Sequence, residues 1–298
     1  FFFKQKTAYE MCGRDWSSDV CSSDLNNTAV GYQSLYSNTT ANGSTAVGHQ
    51  ALYASTGDGN SALGFYSQLN TTTGYYNASF GFRSLLSNTT GVQNTALGAY
   101  ALNQNTTASN NTAVGYQAGY SNTTGAYNTV SGYQAGYAIT TGQNNVALGA
   151  SAMSTGAGVT GNGNCGVGNA ALYALTSGTL NTAVGNSYGA GTGVLQANTT
   201  GSYNIAVGSG ALNANTTAKN NTAVGYQAGY STTTGNIDAF GYGALYSNTT
   251  GLENAAFGGV ALYANTTGAA NVAVGKFALR YNTTASDRKS TRLNSSHV

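Results

Sequence analysis

Among 298 residues, ten are basic and eight acidic, so few charged groups are available for chemistry. The nearest approach to an acid/base pair is Asp238 with Glu253, about one repeat apart. No third group accompanies them, and they read as two isolated surface substitutions. His49 has no nucleophile or metal ligand at a useful spacing and reads as a surface or stacking histidine. The segment GNGNCG, Gly161–Gly166, spells G-x-G-x-x-G, but no helical pattern follows that would bring a helix N-terminus to a phosphate. Cys165 reads as a small packed residue in the slot otherwise held by alanine. Between Asn26 and Ser286 the charged residues are Asp58, Arg83, Lys219, Asp238, Glu253, Lys276 and Arg280. They nearly cancel, which leaves no basic footprint for nucleic acid. The expectation is a non-enzymatic chain with no catalytic, cofactor or metal site.

The chain is instead rich in tyrosine, with 22 residues, many of them in two columns. One column follows a recurrent glycine (Tyr32, Tyr116, Tyr133, Tyr226, Tyr242). The other lies five residues after it (Tyr36, Tyr53, Tyr120, Tyr137, Tyr173, Tyr230, Tyr246, Tyr263). Flat amphipathic rings repeated along a surface suit glycan or protein binding, so the second column is the candidate adhesive site. Filling a trimer interface or covering the coil edge is the competing role for both columns. The NTT triplets at Asn38, Asn88, Asn122, Asn198, Asn248 and Asn265 match the N-glycosylation acceptor by letter and are read as turns.

The element that positions these residues is a repeat. Its anchor glycines are Gly31, Gly48, Gly64, Gly81, Gly98, Gly115, Gly132, Gly149, Gly168, Gly185, Gly208, Gly225, Gly241, Gly258 and Gly275. Their spacings are 17, 16, 17, 17, 17, 17, 17, 19, 17, 23, 17, 16, 17 and 17. A period of 17 is too short for a helix pair and suits one coil of a parallel β-solenoid. In NNTAVGYQAGYSNTTG, TAVGY favours a strand, Ala118–Ser121 offers a second extended stretch, and NTTG favours a turn. One rung buries too little to offset the ordering of its own backbone, so rungs must stack. The chain has no proline, as uninterrupted ladders require. Alternation is read with Thr112, Val114 and Tyr116 inward and the small residues outward. On that reading Val114→Asp costs several kcal/mol, and Asn122→Ser costs far less. The outward stripe Ala46/Gly48, Ala113/Gly115, Ala183/Gly185, Ala223/Gly225 and Ala273/Gly275 then becomes the candidate face of a homotrimer.

The segments NSALGFYSQL (Asn60–Leu69), NTALGAYAL (Asn94–Leu102), NIAVGSGAL (Asn204–Leu212) and NVAVGKFAL (Asn271–Leu279) resemble the head repeats of YadA-like trimeric autotransporter adhesins. Related repeats occur in phage tail fibres. The resemblance implies a left-handed parallel β-roll, three chains about one axis, a cell-surface location anchored through a missing C-terminal part, and a host surface protein or glycan as partner. The family repeat is shorter, and the extra residues here fall in the NTTG turn. The leading expectation is a surface adhesin head or fibre segment with a repetitive binding face. A phage tail-fibre shaft is the alternative, and an ice-binding solenoid a weaker one, since a flat T-x-T array is missing. Within this fragment no run approaches the roughly 18 apolar residues of a membrane span.

The two ends look foreign to the array. For one codon choice, the reverse complement of the DNA for DWSSDVCSSDL (Asp15–Leu25) translates as DRKSTRLNSS, which is Asp287–Ser296. That DNA resembles a short-read sequencing adapter. Residues 1–25 and 287–298 are therefore assigned to adapter-derived sequence and 26–286 to the repeat array. The tails are expected to be irregular or to dock without a shared core.

Overall fold

The computed structural model describes residues 26–155, 158–187 and 191–291. Among the described residues there is no helix, and the regular structure is sixteen short strands. The chain divides into two compact units, Phe1–Gln143 and Asn144–Val298. The first holds β1 (Thr28–Val30), β2 (Thr45–Val47), β3 (Ser61–Leu63), β4 (Ala78–Phe80), β5 (Thr95–Leu97), β6 (Thr112–Val114) and β7 (Thr129–Ser131). The second holds β8 (Val146–Leu148), β9 (Cys165–Val167), β10 (Thr182–Val184), β11 (Ile205–Val207), β12 (Thr222–Val224), β13 (Ile237–Phe240), β14 (Asn254–Phe257), β15 (Val272–Val274) and β16 (Lys289–Thr291). Within each unit every strand pairs parallel with the next, and like residues face like, as in Thr95↔Thr112 and Ala96↔Ala113. Each unit is thus a parallel β-solenoid with one coil per repeat, about fifteen coils in all at the 17-residue period.

The inward face is the opposite of the one the sequence alternation suggests. Ala46, Ala113, Ala183, Ala223 and Ala273 are fully buried inside their own coils. Val114 stands half-exposed on the outer side, and the equivalent Phe80 and Leu97 are 54% and 45% exposed. The stripe proposed as a trimer face is therefore core. Its alanines cannot meet another chain, and their companion glycines carry no side chain outward. The reason is space. The coil is narrow, and the far wall sends in Leu35, Leu52, Leu85, Leu102, Leu172, Leu212, Leu245 and Leu262, all buried. Only a methyl fits opposite them. Val114→Asp is accordingly expected to shift the melting transition of a monomeric coil by no more than about 1 kcal/mol. A larger loss would return that side chain to the core.

Asparagines close both ends of this slot. In the first unit Asn60, Asn77, Asn94 and Asn111 precede the strands and are buried. The Asn77 and Asn94 backbone N–H groups donate to Oδ1 of Asn60 and Asn77 at 2.9 and 3.0 Å, and Asn111 N–H donates to Asn94 Oδ1 at 3.0 Å. Each Nδ2 donates across the coil to a turn carbonyl, as from Asn111 to Gly125 at 2.9 Å. A second ladder runs through the NTT turns. Asn105 Nδ2 donates to Asn88 Oδ1 at 2.9 Å, and Asn122 Nδ2 to Asn105 Oδ1 at 2.8 Å. Asn122, expected to be a tolerant turn residue, is thus a buried ladder member. Serine there would leave Asn105 Oδ1 without its donor, so the expected order of the Val114 and Asn122 substitutions is reversed. The ladder stops where Ile139 takes the next place, and Asn122 Oδ1 has no partner.

Departures from the consensus occur in compensating sets. Gly119 and Gly136 take the leucine slot in consecutive coils. Val130, in an alanine slot, fills the space beside both, and Ile139 reaches Gly136. In the second unit Ile237 and Leu212 close over Gly229. Elsewhere Gln68 replaces leucine and Ser79 replaces alanine, and Gln68 Nε2 donates to Ser79 Oγ at 2.8 Å.

The stretch Ala118–Ser121 is not a strand. The second residue after the anchor has left-handed backbone, as at Gln117 (φ 54°), and so does the fourth, Gly119 (φ 61°). Rung-to-rung hydrogen bonds continue through it nonetheless, from Gly119 N–H to Ala135 O at 2.9 Å and from Ser121 N–H to Tyr137 O at 3.2 Å. At the C-terminal end, Lys289–Thr291 pairs with Val272–Val274, and Arg288 N–H donates to Asn271 Oδ1. Of the two outcomes expected for the tail, irregular or docked without a shared core, these residues follow the second: they pair through the backbone while Lys289 and Thr291 stay exposed. An open strand edge pairs through main-chain groups that any sequence carries, so the pairing does not bear on their origin. Residues 1–25, with Trp16, and residues 292–298 lie outside the described residues.

Candidate functional site

Stacking at one rung per coil brings the tyrosine columns together. The anchor glycine turns the chain outward after each strand, so the next side chain leaves the coil. The left-handed residue at the fourth position turns it again and presents the fifth. In the first unit Tyr32, His49, Phe65 and Phe82 form one row, with centroids 5.1, 4.9 and 5.5 Å apart. Tyr116 stacks on Tyr133 at 5.6 Å. The second column contributes Tyr36 on Tyr53 and Tyr120 on Tyr137, both at 5.2 Å. In the second unit Tyr226 stacks on Tyr242 at 5.7 Å. Tyr230, Tyr246 and Tyr263 make a triple stack at 5.2 and 5.0 Å, with planes within 8°. Tyr173 occupies the same position in its coil with no ring contact among the described residues.

This geometry changes what the columns offer. The rings turn their faces toward one another along the stack, so they present edges and hydroxyls outward rather than open flat faces. His49 is a stacking residue between Tyr32 and Phe65, as the sequence indicates. Around Tyr246 the phenols are dense. Its pKa is raised above the ordinary phenol value, first by burial and then by repulsion from the phenolates of Tyr263, Tyr230, Tyr226 and Tyr242. The folded state therefore holds this proton more tightly than the unfolded chain does. Its contribution is complete below the unfolded value of about 10 and is lost as pH rises through the folded value. The melting temperature should fall as phenolate absorbance appears, and Tyr246→Phe should flatten that dependence. A Tyr246→Phe profile that matches the parent chain would remove this cause.

Sequence reasoning missed three further tyrosines. Tyr76, Tyr127 and Tyr203 sit at left-handed turn positions five residues before an anchor (φ 53°, 60° and 60°), and all are exposed. Few rungs carry a ring there, so the repeat gave no column to notice. The remaining candidates do not assemble into a site. Asp238 pairs in register with Thr222 and Ala255, which leaves Glu253 two residues out of phase with it. Cys165 occupies the outward threonine column, not the alanine slot. That slot is held by Gly166, beside the Met153 methyl. GNGNCG leads into β9 rather than a helix. The NTT asparagines Asn88, Asn122, Asn198, Asn248 and Asn265 are buried ladder members. Among the described residues no group of three or more His, Cys, Asp or Glu side chains is placed to hold a metal ion, and no helix is long and apolar enough to cross a membrane.

The outer face of the strands is the second exposed feature. Threonine or a similar small side chain alternates there with Val, Leu or Phe. Val30, Phe80 and Leu97 in the first unit, and Ile205, Phe257, Val272 and Val274 in the second, are substantially exposed. Ala78 leaves a shallow apolar groove between Leu63, Phe80 and Leu97. A parallel sheet normally has both faces covered. Comparison with protein-family models, with curated proteins and with solved structures gives no match.

Proposed function

We propose that the array is a non-enzymatic surface fibre segment, an adhesin head in the manner of the YadA-like repeats, with a repeated edge-on tyrosine surface as its contact face. The observation that carries this reading is the recurrence of tyrosine stacks in two columns, exposed at Tyr226 and Tyr242 and half-exposed at Tyr230, Tyr246 and Tyr263. Phenol edges and hydroxyls suit the hydroxyls and apolar patches of a cell-surface glycan or protein. Identical weak sites gain avidity when several engage together. The triple variant Tyr230→Ala, Tyr246→Ala, Tyr263→Ala should weaken adhesion to glycan- or cell-coated surfaces by on the order of a hundredfold in a multivalent assay. Thr250→Ala, on the exposed turn, should leave adhesion unchanged. Equal adhesion by parent and triple variant would overturn the reading.

The homo-oligomer is placed on the outward Thr/Val face instead of the alanine stripe. Apolar side chains repeat there in a chain with only 6% charged residues, and covering them satisfies the usual requirement of a parallel sheet. Val114→Asp should then dissociate the parent trimer while leaving β-content intact. A parent chain that sediments as a monomer would count against the assembly. An ice-binding plane is disfavoured by the protruding Phe80 and Leu97 on the outer strand face of the first unit and by Asp238 on that of the second.

A further inference from the structure

We propose that the stacked tyrosines of the second column are sites of oxidative cross-linking, in which neighbouring coils become joined by dityrosine bonds. Three observations carry this. Tyr120 and Tyr137, and likewise Tyr246 with Tyr230 and Tyr263, hold phenol rings 5.0–5.2 Å apart and within 8° of parallel. All five are half-exposed, so a one-electron oxidant can reach them and the rings have room to hinge together. Competing electron donors are scarce. Among the described residues there is no tryptophan, Met153 is fully buried, and Cys165 is half-buried. The array's accessible oxidisable groups are therefore chiefly its tyrosines, held beside one another at high effective concentration. Disulfides cannot tie these coils together, since Cys165 is the array's one cysteine. A carbon–carbon bond between phenols would take that role.

The chemistry balances with a peroxide-driven oxidant such as a haem peroxidase. Each of two phenols gives up one electron and one proton and becomes a phenoxyl radical. The radicals join through ring carbons ortho to oxygen. The hydrogen on each joined carbon then moves to its own oxygen, which restores two phenols. The two hydrogen atoms removed reduce one hydrogen peroxide to two waters. Nothing else is consumed.

The test uses the full chain with its cysteines alkylated, treated with peroxidase and hydrogen peroxide at low protein concentration. Dityrosine fluorescence should rise while the chain keeps its monomer mass in denaturing gels. Digestion should give cross-linked peptides pairing Tyr120 with Tyr137 and Tyr246 with Tyr230 or Tyr263. Tyr173, in the same column with no stacked ring among the described residues, and the exposed Tyr127 should remain unlinked. In Tyr246→Phe the peptides carrying Tyr230 and Tyr263 should lose their cross-link, and the Tyr120–Tyr137 product should persist. Prior unfolding in denaturant should abolish the pairing pattern. Cross-links that fall mainly between chains, that involve Tyr127 or Tyr173 as often as the stacks, or that survive unfolding would overturn the proposal.

Discussion

Gly115→Ala is expected to cost about 3 kcal/mol or more and to abolish cooperative melting of the coils around it. The backbone at Gly115 has φ +132°, and a Cβ there would lie 2.5 Å from Gly132 O and 2.8 Å from Gly132 C. Both obstacles are main-chain atoms of the next rung, so no rotamer change relieves them. The same contact recurs between Gly98 and Gly115, and relief at one rung transfers the clash to the next. Gly43 is the control. It also has a positive φ, +67°, but nothing lies within 4 Å of its Cβ position. Alanine at Gly43 should cost only about 1 kcal/mol, the penalty of left-handed backbone alone. Equal melting shifts for the two variants would show that the glycine column is not held by rung contact.

The second large effect is expected at Asn111. Alanine there removes the acceptor of Asn128 N–H, an Oδ1 at 2.8 Å, and the donor to Gly125 O. Gly125 O keeps Asn122 Nδ2 at 3.0 Å, whereas the bond from Asn128 N–H is lost. One lost buried hydrogen bond and a small cavity together predict a loss of about 2–4 kcal/mol by chemical denaturation. Asn111→Asp tests the same bond from the other side. It retains the acceptor but places a carboxylate beside Gly125 O, and should be at least as damaging at neutral pH. A stability loss below 1 kcal/mol in both variants would mean that water satisfies the ladder.

The repeat, its period and the parallel stacking were legible in the sequence because glycine, asparagine and threonine return at fixed phase. The glycine column was legible for the same reason. The inward face was not. Alternation alone cannot say which half of TAV points in, and size alone favours the larger residue for the core. The sequence nonetheless held the distinguishing signal. The place before the anchor accepts Val30, Leu63, Phe80 and Ser131, a range that only an open position tolerates. The place before that is alanine in twelve of fifteen rungs, which marks confinement. The buried asparagine ladders look like turns in the sequence because the same residue type serves both purposes, and only the path of the coil decides which side the carboxamide meets. The tyrosine columns were visible as spacing, but whether their rings show faces or edges depends on χ angles that spacing does not fix. The compensating triad of Val130, Gly136 and Ile139 was illegible, because it joins residues that differ from the consensus at three different places.

The asparagine ladder also bears on how such a gene changes length. Each carboxamide accepts from the following rung and is met by the preceding one through the same atoms. A recombination that removes residues 95–111 joins Asn94 directly to Thr112. Asn94 then inherits the place of Asn111, with Asn77 Oδ1 on one side and Asn128 N–H on the other. The splice leaves no mismatched donor in this ladder, and the shortened chain should still melt cooperatively. A crossover out of phase by a few residues within the strand would set alanines against valines at the splice, while the coils that follow stay in register with one another. Exchange in whole periods therefore disturbs the asparagine ladder least, and unequal exchange between the gene's own copies is a ready source of arrays of different length. Loss of cooperative melting in the chain lacking 95–111 would show that the rungs are not interchangeable.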